Sequence, residues 1–118
     1  MREILFRAKR IDNGEWVQGH FVKIWDKYKI VFAEYSYDID FSTLSQYIGL
    51  KDKNGKKIFE GDIVENNECI GVVEYSEEDA MYTVLFDETL YDFSWVSAKM
   101  CEVIDNIHDN PELLEVKK

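Results

Sequence analysis

The stretch "IGLKDKNGKKIFEGDIV", residues 48–64, decides how this chain is read. Asn54-Gly55 marks a tight turn, because glycine takes the left-handed backbone that other L-residues resist. A two-residue turn there sets Asp52 across from Lys57 and Leu50 across from Phe59. Glu60-Gly61-Asp62 is a second break, just before the strand "IVE", where an Asp side chain hydrogen-bonds the turn backbone. Gly49, Gly55 and Gly61 therefore read as backbone requirements of a chain entering a small β-barrel. An EF-hand calcium loop is excluded. The EF-hand spacing puts glycine five positions after the first acid, whereas Gly55 lies three after Asp52, and Lys53, Lys56 and Lys57 would oppose a cation.

Downstream, turn signals separate five short strand candidates: "DIVEN", "CIGVVEY", "AMYTVLF", "LYDFSWV" and "MCEVIDNI". Five such strands are too few for a two-sheet sandwich and point to a small SH3-like barrel. "DNPELLEV" closes the chain as a helical turn, with Asn110 as N-cap and Pro111 at the first helical position. The expected fold is mainly β, with an N-terminal hairpin and meander subdomain over residues 1–47 and the barrel with its helical turn over 48–118.

Upstream, "EILFRAKRIDNGEWVQGHFVKI" reads as a hairpin. A type I′ turn centred on Asn13-Gly14 pairs Ile11 with Trp16, Lys9 with Gln18, Arg7 with His20 and Leu5 with Val22. The opposite face then carries Ile4, Phe6, Ala8, Val17, Gly19 and Phe21. "KYKIVFAEY" reads as a third strand. Residues 36–47 fit either an irregular strand or a short helical turn.

The chain has 118 residues, the length of one domain, and 17 aromatic side chains that favour strands. Its length buries about two-thirds of the unfolded surface, so neither metal nor disulfide is required for folding. Cys69 and Cys101 belong to no CxxC or Cys/His set and read as small buried hydrophobes. No apolar run approaches the ~20 residues of a membrane-spanning helix. The start, MREILFRAKR, lacks the apolar core and cleavage site of a signal peptide. The expected compartment is the cytoplasm.

The net charge of −10 is unevenly spread: residues 58–98 hold eleven acids and no Lys or Arg. There is no GxGxxG, P-loop, GxSxG or HExxH motif, and His20 and His108 are far apart in sequence. No enzyme activity and no cofactor are expected. Two surfaces stand out instead. Arg7, Lys9, Trp16, Gln18 and His20 form a small recognition patch on one hairpin face, of the residue types that anchor interfaces. Glu77, Glu78, Asp79, Asp87, Glu88 and Asp92 fall at turns or strand ends and form a candidate face for a basic protein partner. The bland readings are a covered hairpin edge and a solubilising surface.

Four stretches, "REILFRAKRIDNGEWVQG", "SQYIGLKDKNGKKIFEGDIV", "GVVEY" and "EVIDNIHDNPELL", resemble the YopX family of small proteins carried by bacteriophages and prophages of bacteria. The likeness spans nearly the whole chain in the right order. Its signature positions here are Asn13, Gly14, Tyr47, Gly49, Asn54, Gly55, Glu60, Gly61, Asp62, Asn110 and Pro111. The resemblance implies a mostly β protein whose second part is an SH3-type barrel, and it brings no catalytic residues. Three positions depart from the pattern: His108 stands where an aromatic is expected, Asp105 where glycine is frequent, and Ile48 where Thr is common. Taken together, these readings lead to a cytoplasmic, phage-derived accessory protein that acts through protein contacts or self-association. The alternative is nucleic-acid binding through the basic hairpin (Arg2, Arg7, Lys9, Arg10, Lys23), which the acidic barrel disfavours because phosphate binding needs positive charge.

Overall fold

Short runs of β-branched and aromatic residues alternate with turns along the chain, and strands form at nearly all of them. The computed structural model describes residues 3–86 and 89–114, the side chains of Trp95 and Val96 excepted. The strands are β1 (Phe6–Arg10), β2 (Trp16–Ile24), β3 (Lys27–Phe32), β4 (Tyr35–Lys51), β5 (Lys57–Phe59), β6 (Asp62–Asn66), β7 (Cys69–Ser76), β8 (Met81–Phe86), β9 (Thr89–Asp92) and β10 (Glu102–Asn106). A short helix α1 (Trp95–Lys99) precedes β10, and a 3-10 turn (Pro111–Leu114) follows it. The fold is thus mainly β, in two antiparallel sheets. Two compact units divide the chain, Met1–Tyr47 and Ile48–Lys118.

In the first unit β1 pairs with β2 on one side and with β4 on the other, so four strands close into a ring. Alternation along each strand turns Ala8, Ile30 and Ile39 into a buried cluster, with Phe6, Val17, Phe21, Tyr28 and Leu44 packed against it. The β1–β4 ladder shifts register between Arg7 and Lys9. Thr43 bridges that irregularity: its Oγ1 accepts from Lys9 N–H at 2.8 Å and donates to the Asp40 carbonyl at 2.7 Å. A threonine hydroxyl thereby replaces the backbone bonds that a bulge removes.

The second unit contains a sheet of order β10-β6-β7-β8-β9. Ile48, Ile58, Val64, Val73, Val84, Phe93, Ala98, Cys101 and Val103 form its core. Each fully buried aliphatic side chain there stabilises the fold by about 1.5–3 kcal/mol.

The hairpin expectations need correction. The first turn is a four-residue loop, with Arg10 N–H donating to Glu15 C=O at 2.9 Å and Gly14 N–H to Arg10 C=O at 3.0 Å. Only Gly14 is left-handed (φ +73°), whereas a type I′ turn needs two such residues. Asn13 instead uses its side-chain oxygen to accept from Glu15 N–H. The register therefore slips by two, and Arg7 faces Gln18 while Lys9 faces Trp16. A slip of two keeps every side chain on its expected face. Asp52 likewise bonds to Lys56, not Lys57, through its N–H, because Gly55 alone is left-handed there (φ +82°). The turn that does have two left-handed residues is Asn67-Glu68, between β6 and β7.

Other boundaries moved as well. "KYKIVFAEY" breaks at Phe32, where a turn at Ala33 (φ +54°) leads into β4. Residues 36–47 are strand throughout. "LYDFSWV" ends as a strand at Asp92, and Ser94 then caps α1 by accepting from Ser97 N–H. At the C-terminus Pro111 does open the helical turn, which is 3-10, and the Asn110 carbonyl accepts from Leu113 N–H.

Gly14 and Gly55 meet open space where a Cβ would stand, so only backbone strain opposes substitution. Ala at either position should cost about 1–2 kcal/mol, the usual left-handed penalty for an L-residue. Urea denaturation of each variant measures it.

Candidate functional site

The structure gathers the hairpin patch. Arg7, Lys9, Trp16, Gln18 and His20 share the outward face of β1 and β2. The Arg7 guanidinium lies 4.8 Å from the Trp16 ring centre, and Lys9 Nζ lies 5.5 Å from it. Such cation–π contacts contribute about 0.5–1 kcal/mol at exposed sites. The indole is therefore occupied by its own neighbours, while Gln18 and His20 stay exposed. Arg10 behaves similarly: it forms a two-bond ion pair with Asp12 and lies 4.6 Å from the Tyr37 ring centre. The Arg10 bond lowers the Asp12 carboxyl below its ordinary range.

The signature residues of the middle stretch turn out to be fasteners. Asp52 is buried, and its Oδ1 accepts from Asn54 N–H and Lys56 N–H, each at 2.9 Å. Its Oδ2 accepts from Val103 N–H at 2.9 Å, tying the turn to β10. Burial opposes its ionisation. The three backbone donors outweigh that effect and hold the carboxyl below its ordinary value. Asp62, also buried, accepts from Phe59 N–H at 2.8 Å, as an Asp before a strand is expected to do. Gly61 (φ +83°) donates to Val73 C=O and accepts from Ile107 N–H. Tyr47 N–H donates to Leu5 C=O, Gly49 is left-handed (φ +90°), and Glu60 is half-buried.

The last stretch follows the same logic. The Asn106 side-chain oxygen Oδ1 accepts from His108 and Asp109 N–H, its side-chain amide donates to Asp109, and the Asn110 side-chain amide donates to the Asp105 carboxylate. Asn110 thus uses its side chain on Asp105 and caps the 3-10 turn through its backbone.

Among the described residues the acidic positions lie on more than one element. Glu77, Glu78 and Asp79 sit exposed in the loop before β8, where Asp79 N–H donates to Ser76 Oγ. Asp92 lies across from Thr83 on β9 and lines a cavity instead. Asp87 and Glu88 lie outside the described residues.

That cavity escapes a sequence reading. It is open, about 470 Å³, and bounded by β6, β7, β8, β9 and α1. Its apolar lining comes from Cys69, Val84, Phe86, Tyr91 and Cys101. Asn66, Asn67, Thr89, Asp92 and Ser97 supply polar groups. The volume falls within the range that takes a small molecule or a few side chains. Tyr91 lies opposite Val84 and its ring is 6.1 Å from that of Phe86. Burial raises the Cys101 thiol, and nearby Asp52 adds to the effect, so the group stays a neutral thiol and a poor nucleophile. Neither cysteine forms a disulfide. Among the described residues no three His, Cys, Asp or Glu side chains group as metal ligands, and no helix is long and apolar enough to cross a membrane.

The comparisons agree with this architecture. No curated protein matches the chain. The crystal structure of protein EF1440 from Enterococcus faecalis is similar at 24% identity and a TM-score of 0.62, over 97% of this chain and 99% of that one. The likeness extends the fold to a second protein. The family model "YopX protein" matches residues 5–115, which include all four stretches singled out above apart from the first three residues of the first. The chain therefore belongs to the YopX family.

Proposed function

We propose that this chain is a phage-derived accessory protein of the bacterial cytoplasm that acts by non-catalytic protein contacts, through the β9 edge of its second unit. One observation carries the reading: β9 ends the sheet order, and all four of its residues are exposed. Leu90 and Tyr91 are 59% and 51% exposed, and Leu85, across from Leu90, is 42% exposed. A short apolar edge without lysine or proline is an invitation to pair with another strand. The strand order β10-β6-β7-β8-β9, with a one-turn helix before the closing strand, supports reading this unit as an SH3-like barrel.

Nucleic-acid binding through the basic hairpin has less support. Arg7 and Lys9 lie against Trp16, Arg10 against Asp12 and Tyr37, and Lys23 Nζ lies 5.5 Å from the Tyr28 ring centre. Phosphate binding would have to break these contacts. Arg2 lies outside the described residues.

Lysine is the residue natural sheets use to block an edge. Leu90→Lys should therefore abolish capture of any partner bound by the wild-type chain, together with any concentration-dependent association seen in light scattering. Trp16→Ala should leave both unchanged. Loss with Trp16→Ala and retention with Leu90→Lys would move the contact to the hairpin patch and reject the β9 reading.

A further inference from the structure

We infer that the β9 edge and the cavity beside it accept a basic, extended segment of a partner protein, which adds as a further strand and seats an aliphatic side chain against Val84, Phe86 and Tyr91. The inference rests on the protein-contact reading above and names the partner's chemistry.

The backbone geometry comes first. Phe93 N–H donates to Tyr82 C=O at 3.0 Å. Bonding alternates along an antiparallel ladder, so residues 89 and 91 also turn their polar groups toward β8. Leu90 and Asp92 then direct theirs outward, along the free edge. A strand added there gains main-chain hydrogen bonds whatever its sequence.

The cavity provides selection. Thr89 and Tyr91 line it from β9, and Val84 and Phe86 line it from β8. It therefore lies on the face that every second side chain of an added strand would approach. Its apolar lining suits an aliphatic group, and the amides and hydroxyls of Asn66, Asn67, Thr89 and Ser97 in that lining suit a neighbouring polar backbone.

The sign of the charge selects the occupant. Glu68 stands in the β6–β7 turn, Asp92 lines the cavity, and Lys99 on α1 is the one cation on the elements around it among the described residues. Residues 58–98 carry eleven acids and no Lys or Arg. A second copy would bring Asp92 against another acidic edge, which costs electrostatic energy. A basic strand is drawn in, and its association weakens as salt screens the attraction.

Three fluorescent peptides, KVKLKVK, KGKGKGK and EVELEVE, test this by anisotropy with the full chain. KVKLKVK should bind, KGKGKGK should bind about tenfold more weakly despite equal charge, and EVELEVE should not bind. In the wild-type chain the amides of Leu90 and Asp92 should shift in NMR spectra and gain exchange protection with KVKLKVK. Leu90→Pro removes only an outward N–H, which an edge strand tolerates. It should weaken KVKLKVK about tenfold, the scale of one lost hydrogen bond. Equal affinity for the two lysine peptides overturns the inference, as do shifts confined to Glu77–Asp79. If Leu90→Pro fails to fold, the wild-type spectra decide alone. Protection of β9 that grows with protein concentration and excludes the peptide overturns the basic-partner inference while leaving the protein-contact reading standing.

Discussion

Replacing Gly71 or Gly19 by alanine should destabilise the fold by about 3 kcal/mol or more, well beyond the 1–2 kcal/mol expected at Gly14 or Gly55. A Cβ on Gly71 would stand 2.4 Å from the Leu85 carbonyl oxygen and 2.9 Å from the Phe86 ring. A Cβ on Gly19 would stand 2.4 Å from the Val31 carbonyl oxygen and 3.1 Å from an Ile30 methyl. In each case the nearest atom is backbone within a paired strand, so it cannot retreat without disturbing the ladder. Neither glycine is left-handed. The cost is purely one of space. A loss of 3 kcal/mol lowers the melting temperature of a chain this size by about 10 °C. Thermal and urea unfolding of the four alanine variants gives the order directly, and Gly14→Ala proving worse than Gly71→Ala would reject this account.

Asp52→Asn should cost about 3 kcal/mol near neutral pH. Charged hydrogen bonds contribute about 1.5–3 kcal/mol each, and a buried donor left without a partner costs about 1–3 kcal/mol. An amide retains one acceptor oxygen but turns an NH2 toward either Val103 N–H or the Asn54 and Lys56 N–H pair. The pH dependence has a definite sign. The folded carboxyl lies below the ordinary 3.8, so its contribution is complete above that value and is lost as pH falls through the folded one. The stability gap between wild type and Asp52→Asn should therefore be widest at neutral pH and shrink as pH drops below about 4. A gap that stays constant across this range in urea titrations would show that the charge of Asp52 contributes nothing.

The turns were legible from the sequence because their chemistry is local. Gly14, Gly55 and Gly61 are left-handed, and Asp62 bonds the turn before its strand, as expected of these residue types at these places. The β6 strand has the bounds read from "DIVEN". Faces survived even where register did not, because side-chain alternation has a period of two and the first hairpin slipped by two. The slip itself could not be read, since Asn-Gly permits a type I′ turn without requiring one. Asn13 satisfied a backbone donor with its side chain, and the loop lengthened.

Of the candidate surfaces, the sequence placed Arg7, Lys9 and Trp16 on one face, but only the folded structure laid both cations against the indole. It places Glu77–Asp79 in the connection between β7 and β8 and Asp92 at the end of β9. By itself the sequence determined a mainly β chain, the turns marked by Gly14, Gly55 and Gly61, the family and the asymmetry of charge, all of which depend on neighbours in sequence or on composition. Tertiary structure alone decided that Gly19 and Gly71 have no room for a methyl group, that Asp52 fastens residue 103, and that β9 is an edge beside a cavity. Each of those depends on which strand lies alongside which, a contact between residues distant in sequence that no local pattern records.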